Sequence, residues 1–209
     1  MAKNLNSIKL QGIVSSEPVL DEELKYGEKI YSFTLSVPRE SGTDDVLILR
    51  ASNRLVGFDY ITDGAIIEVS GDIRTRREKH GFKKRMKISI FCYSIDCIEA
   101  IDTKRNNVCE ISGTVGKKPL LRKAKTSDRV LCEVQVRVQR PRNKMSFIPV
   151  ISWGRNAYYS SEFKEGDEIY VIGRFQSRNI LRHSGVSFEE DTTYELSAEN
   201  VEYLDKVVG

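Results

Sequence analysis

Trp153, the only tryptophan of the 209-residue chain, stands just before Gly154 and Arg155. Phe147 lies six positions upstream. On a strand, side chains alternate between faces, so the two rings leave the same side. An aromatic beside a guanidinium on a sheet suits a flat, anionic, unpaired ligand, because the ring stacks on a base while the cation meets a phosphate. Single-stranded nucleic acid offers both. The competing use of such rings is to fill a core. A second candidate is RTRREKHGFKKRMK, Arg74 to Lys87, with eight Lys or Arg, one Glu, and Phe82 at its tip beside Gly81. Arg74, Arg76, Arg77, Lys83, Lys84 and Arg85 could follow a phosphate backbone there, with Phe82 as a stacking surface. A solvated hairpin is the plainer reading, but so dense a run of one sign repels itself without a counter-charge.

Further along, Lys117, Lys118, Arg122, Lys123, Lys125 and Arg129 crowd one segment, followed by Arg137, Arg140, Arg142 and Lys144. Arg54 and Arg155 occupy matched positions, and contact with phosphate or pairing with acids are both open for them. The net charge of +3 decides nothing, so the distribution of charge must carry the argument. Up to Asp102 there are 15 basic and 16 acidic residues; the remainder holds 18 and 14.

Other chemistries find little support. His80 and His183 lie far from each other and from Cys92, Cys97, Cys109 and Cys132, and no CxxC pair exists. The expectation is no metal, no cofactor, and reduced thiols serving as small hydrophobes. No phosphate-cradling GxxxxGK[ST] loop and no nucleophile motif is present, so no catalysis is expected. The opening MAKNLNSIKL has no signal-peptide core, and no apolar run approaches the roughly 18 residues of a membrane span. The expectation is a cytoplasmic protein.

The elements that position these residues repeat. Gly12, Val14, Pro18, Val37, Arg39 and Arg54 recur 101 positions on as Gly113, Val115, Pro119, Val138, Arg140 and Arg155. Gly64, Gly71 and Arg76 recur 102 positions on as Gly166, Gly173 and Arg178, and Ile90 and Ile95 meet Leu196 and Val201 at 106. Such ordered matches mark an internal duplication. Two units are expected, 1–102 and 107–209, joined by the short polar DTKRN. Five strands fall in the first copy, near Ser7 to Val14, Ile30 to Val37, Val46 to Ser52, Ile66 to Arg74 and Met86 to Ile98. A short helix fits between the third and fourth, around Leu55 to Ile61 and, in the second copy, Asn156 to Phe163. That order predicts an all-β protein of two tandem five-stranded OB-fold barrels.

SGTVGKKP, FIPVISWGR and GDEIYVIGRFQSR of the second copy resemble, in order and spacing, the bacterial single-stranded DNA-binding protein family. QGIVSSEP, VLILRASNR and DGAIIEVSGDIRTR of the first resemble it more weakly. The resemblance implies binding of single-stranded DNA in replication, recombination or repair, without catalysis. It places stacking aromatics at Phe147 and Trp153, where the first copy has Val46 and Ser52. Because the family commonly assembles four OB-folds, it also implies a homodimer of this two-fold chain. The family tends to end in an acidic tail that recruits other proteins; this sequence ends ENVEYLDKVVG, without such a tail, which puts tail-mediated recruitment in doubt and leaves replication or repair proteins open as partners. One composite DNA path is expected, with the first copy giving a basic hairpin and the second giving aromatics and a basic face. A protein-interaction scaffold and an RNA-binding OB protein are the alternatives.

Overall fold

The computed structural model describes residues 5–55, 58–80, 83–124, 127–183 and 188–204. In the first copy β1 (Asn6–Val14), β2 (Val19–Glu23), β3 (Lys29–Pro38), β4 (Asp44–Ser52), β5 (Ile66–His80) and β6 (Lys83–Cys97) follow in order. The second repeats them as β7 (Asn107–Val115), β8 (Leu120–Lys123), β9 (Val130–Arg140), β10 (Lys144–Trp153), β11 (Glu168–His183) and β12 (Phe188–Tyr203). In the first copy β1 pairs with β3, β3 with β4, β4 with β6 in parallel, β6 with β5, and β5 with β1, which closes a ring. The same five pairings recur through β7, β9, β10, β12 and β11. The architecture is all-β, two OB-folds in one chain.

Alternation determines what fills each ring. Phe33, Leu35 and Val37 point inward with Leu47 and Leu49 across the pair, and Val134, Val136 and Val138 do the same with Ile148 and Val150. Gly71 and Gly173 sit at bulges, where a Cβ would collide with the carbonyls of Phe91 and Ser197. Close backbone approach therefore explains why both copies carry glycine there. Cys92, Cys109 and Cys132 are buried, and burial pushes the Cys92 thiol up to about 12, whereas Cys97 is exposed.

Three sequence expectations change. The five expected strands form the ring of each copy, and among the described residues one more joins them, because the chain breaks after Val14 and Val115 and resumes as the short edge strands β2 and β8. The basic segment from Arg74 to Lys87 is not a loop: β5 and β6 run on as a two-stranded ribbon to His80 and Lys83, with Arg76 opposite Lys87 and Glu78 opposite Arg85. Charged residues dominate this stretch, so it carries no apolar alternation and pattern reading stops short of it. Among the described residues the helix stands only in the second copy, as α1 (Arg155–Ser161) with Ala157 and Ser160 buried, and part of its first-copy counterpart, residues 56 and 57, lies outside them. In the matching segment of the first copy the described residues form the 3-10 turn Phe58–Tyr60. Its segment carries Val56, Gly57 and Ile61, poorer helix formers than the Ala157-containing counterpart.

The two rings are fused. β1 and β7 pair antiparallel with Ile8 opposite Cys109, which are equivalent positions of the two copies, so a pseudo-twofold axis passes between them. Hydrogen bonds obey it. The Val46 amide donates to Ser177 Oγ at 2.9 Å, and the Phe147 amide donates to Thr75 Oγ1 at 3.0 Å. The Ser177 amide donates to Asp45 Oδ1 at 2.8 Å, and the Thr75 amide to Ser146 Oγ at 3.3 Å. The connection between the copies is pinned as well, by Asn106 Nδ2 donating to the Pro38 carbonyl at 2.7 Å.

Candidate nucleic-acid interface

Along β10 the core-facing residues are Ile148 and Val150, while Phe147, Pro149 and Trp153 are half-buried on the outer side. Neither ring belongs to the hydrophobic core. Six residues of strand hold them about 20 Å apart. Phe147 lies at the seam between the barrels. It lines a cleft of about 810 Å3 whose first-barrel wall is Ile48, Glu78, Arg85, Met86, Lys87 and Ile88. The second-barrel wall includes Gln135, Pro149, Thr193 and Tyr194. On one side Phe147 and Met86 continue into a hollow with Arg76, Arg77, Asn143 and Met145. On the other, Gln135, Pro149, Thr193 and Tyr194 continue toward Lys117 and Arg178. These concavities share walls, so they form one groove crossing both barrels with Phe147 at its middle. Trp153 is outside it, covered by Arg129, whose guanidinium carbon is 5.0 Å from the ring centroid.

The cations divide by whether an internal acid already holds them. Arg76 donates two hydrogen bonds to Asp21, at 3.0 and 3.1 Å, and lies 2.5 Å from Glu78. Asp21 also receives Arg50 Nε at 2.7 Å. Burial pushes the Asp21 carboxyl up, but the hydrogen bonds from Arg76 and Arg50 outweigh it and hold the group below its ordinary value. The strand equivalent to β10 is thus neutralised in the first barrel by its own β2. Arg74 is paired with Asp72 at 2.7 Å and lies over Phe91. Arg178 faces Glu195 at 3.4 Å, and burial pushes the Glu195 carboxyl up. Lys123 faces Asp128 at 3.6 Å with both side chains exposed.

Arg77 and Arg155 are exposed, Arg155 as the first residue of α1, and Arg85 lines the cleft. Arg140 closes β9, and Arg142 sits in the following turn with φ 62°. Phe82 and Lys125 lie outside the described residues, as do the side chains of Lys83 and Lys84. The structure therefore brings Arg76, Arg77, Arg85 and Phe147 to one groove, with Arg178 at its extension, and leaves Trp153, Lys123 and Arg155 at the far end of β10. Sequence reading missed Met86, Pro149 and Tyr194, and it named Arg129 as one of a basic cluster without setting it against Trp153. Arg129 had a visible signal, since it precedes Val130 on the strand that pairs with β10, opposite Trp153 through Leu131.

Two fused OB-fold rings thus meet at a groove where Phe147, Met86 and Tyr194 stand among charges of both signs, Arg85 and Lys87 with Glu78, Glu190 and Asp191. Residues 106–204 match the single-strand binding protein family, which places the second barrel in that family. The first barrel repeats the pairings of the second one for one. The chain is 23% identical over 211 residues to a single-stranded DNA-binding protein of Thermus thermophilus, covering 88% of this chain and 79% of that protein. The crystal structure of the wild-type single-stranded DNA-binding protein of Thermus aquaticus superposes with a TM-score of 0.76 at 20% identity, covering 100% of this chain and 97% of that one. A deletion mutant of the same protein gives the same TM-score and identity, covering 98% of its own chain. Among the described residues no helix is long and apolar enough to cross a membrane.

Proposed function

We propose that this chain binds single-stranded DNA, sequence-tolerantly and without catalysis, in replication, recombination or repair. The observation that carries the reading is Phe147, held outside the core by the Thr75 hydrogen bond to its amide and facing Arg85 and Lys87 across the cleft. A strand in this groove stacks bases on Phe147, while the cations release counterions from its backbone. Trp153 with Arg129 and Arg155 is a second stacking place on the same strand. The groove crosses the seam, so both barrels serve one path. The first barrel has no independent equivalent, since Val46 stands for Phe147 and Asp21 occupies Arg50 and Arg76. Two chains would bring together four barrels, and a homodimer in the cytoplasm is part of this reading; native mass spectrometry tests it.

The deciding experiment is titration with oligo-dT, oligo-U and duplex DNA at two salt concentrations, followed by indole fluorescence and by anisotropy of labelled strands. The reading expects tight binding of oligo-dT, quenching of Trp153, weak response to duplex, and loss of affinity with salt. No binding of any strand at low salt overturns it. Tighter binding of oligo-U than of oligo-dT would replace DNA with RNA.

A further inference from the structure

The pseudo-twofold axis relates two arginines whose surroundings differ. Arg39 Nε donates to Asp45 Oδ2 at 2.9 Å and its Nη2 to the Ser177 carbonyl at 2.8 Å. Asp45 is fully buried, and Arg174 approaches it to 3.9 Å. The charge of Arg39 is thus closed off by a carboxylate. The duplication carries Arg39 to Arg140, Asp45 to Ser146, Arg174 to Asp72 and Ser177 to Thr75. With Ser146 in place of Asp45, Arg140 has lost its acid. Its Nε is buried with no hydrogen-bond partner. Burial first, then the nearby charge of Arg74, pull the Arg140 guanidinium below its ordinary value, against a weaker opposing pull from Asp72. That Asp72 is already held by Arg74 at 2.7 Å. The axis that sets Arg39 and Asp45 near Arg174 sets Arg140 near the Asp72–Arg74 pair, with one guanidinium on each barrel.

An aromatic pair adjoins them. The Arg74 guanidinium carbon lies 3.6 Å over the Phe91 ring and 6.0 Å from the Tyr93 ring centroid. Arg74 Nη2 donates to Tyr93 Oη at 3.4 Å, and the Tyr93 side chain is 52% exposed. The positions matching Phe91 and Tyr93 in the second copy are Ser197 and Glu199, so the aromatics belong to this side of the axis alone. Neither Arg74, Arg140 nor Tyr93 lines the groove around Phe147.

We propose that Arg140 and Arg74 together hold one backbone phosphate of single-stranded DNA while Tyr93 stacks a neighbouring base. This is a second station on the outer face of the first barrel. A phosphate supplies the anion that the loss of Asp45's counterpart left missing, and it accepts from two guanidinium forks at once. Tyr93 is held in place by Arg74 and packs edge-on to Phe91 at 6.3 Å, so little ordering is needed when a base arrives. The first barrel, which lacks rings at Val46 and Ser52, thereby engages the strand from β6 instead of β4. The inference rests on the DNA-binding reading above.

The test uses the whole chain with two labelled oligo-dT probes, one of about 8 nucleotides to cover a single station and one of about 30 to span both barrels. With the long probe, Arg140→Gln should lower the slope of log affinity against log salt by about 0.7, the share of one single-strand phosphate. Tyr93→Ala should weaken long-probe binding about tenfold, and Tyr93→Phe should restore it. Short-probe binding at the groove should stay at wild-type strength in all three. Cross-linking by 5-iodouracil in the long probe should fall on Tyr93. Wild-type behaviour of both loss variants on the long probe overturns the station while leaving the groove intact. So does an equal loss on both probes, or a change in assembly mass with Tyr93→Ala. Failure of the wild-type chain to bind either probe removes the DNA reading and the station together. Tyr93 is exposed, so its variants carry the test if Arg140→Gln does not fold.

Discussion

Replacing Asp21 by Asn should make the protein less stable and its DNA binding more salt-sensitive at once. Asp21 joins β2 to β4 and β5 by receiving Arg50 at 2.6 Å and Arg76 at 3.0 Å, with its side chain 17% exposed. Removing the acid of a fully buried pair costs about 3–5 kcal/mol. Here Arg50 keeps Glu22 at 2.9 Å and Arg76 keeps Glu78, and both sites touch solvent, so the loss should be about 2 kcal/mol. That corresponds to a drop in Tm of about 4–8 °C for a chain of this size. Arg76, left with Glu78 as its one acid instead of two, lines the hollow beside Phe147, where one added phosphate contact steepens the log–log salt slope by about 0.7. Because the Asp21 carboxyl is held below its ordinary 3.8, its stabilisation is present above that value and is lost as pH falls through the lower folded value. Asp21→Asn should remove this part of the acid sensitivity. Urea melts across acidic pH and anisotropy titrations across salt measure both effects. An unchanged salt slope would mean that Arg76 does not reach DNA, and unchanged stability would mean that the clamp contributes nothing.

Phe147→Ala and Trp153→Ala should each weaken oligo-dT binding by about five- to hundredfold with unchanged far-UV circular dichroism, since stacking contributes about 1–3 kcal/mol per base. Full affinity in either variant removes that ring from the interface. Gly173→Ala should destabilise the second barrel by about 1–3 kcal/mol, because its Cβ meets the Ser197 carbonyl; a melt at wild-type temperature contradicts the close-approach argument. Glu195 has a raised folded pKa, so protonation as pH falls through it relieves a buried charge and frees Arg178. Oligo-dT binding should therefore tighten on mild acidification, and Glu195→Gln should bind tightly throughout; a variant with the wild-type pH profile would exclude Glu195.

The strand pattern was legible because period-two alternation is local: Phe33, Leu35 and Val37 announce an inward face whatever surrounds them. The duplication was legible for a related reason, since Gly71 and Gly173 answer the same backbone collision in each copy. Phe147 and Trp153 were legible as a shared face, and the structure places both outside the core. The ribbon beyond Arg74 and the added edge strands β2 and β8 were not, because charged stretches and short edges carry no apolar signature.

The basic residues show where sequence reading ends. Arg76 counted as one more cation of a positive segment, yet Asp21, 55 positions away, neutralises it. Arg140 and Arg74 belong to different copies and come to one side of the seam only because β1 pairs with β7. By itself the sequence determined the barrels, their duplication, and the outward aromatics of β10, because each follows from alternation or from backbone geometry repeated at a fixed offset. Only the tertiary structure decided which charges remain free for a ligand. An ion pair acts over a few ångströms, and those distances exist only after ring closure and the fusion of the two barrels have brought remote strands together.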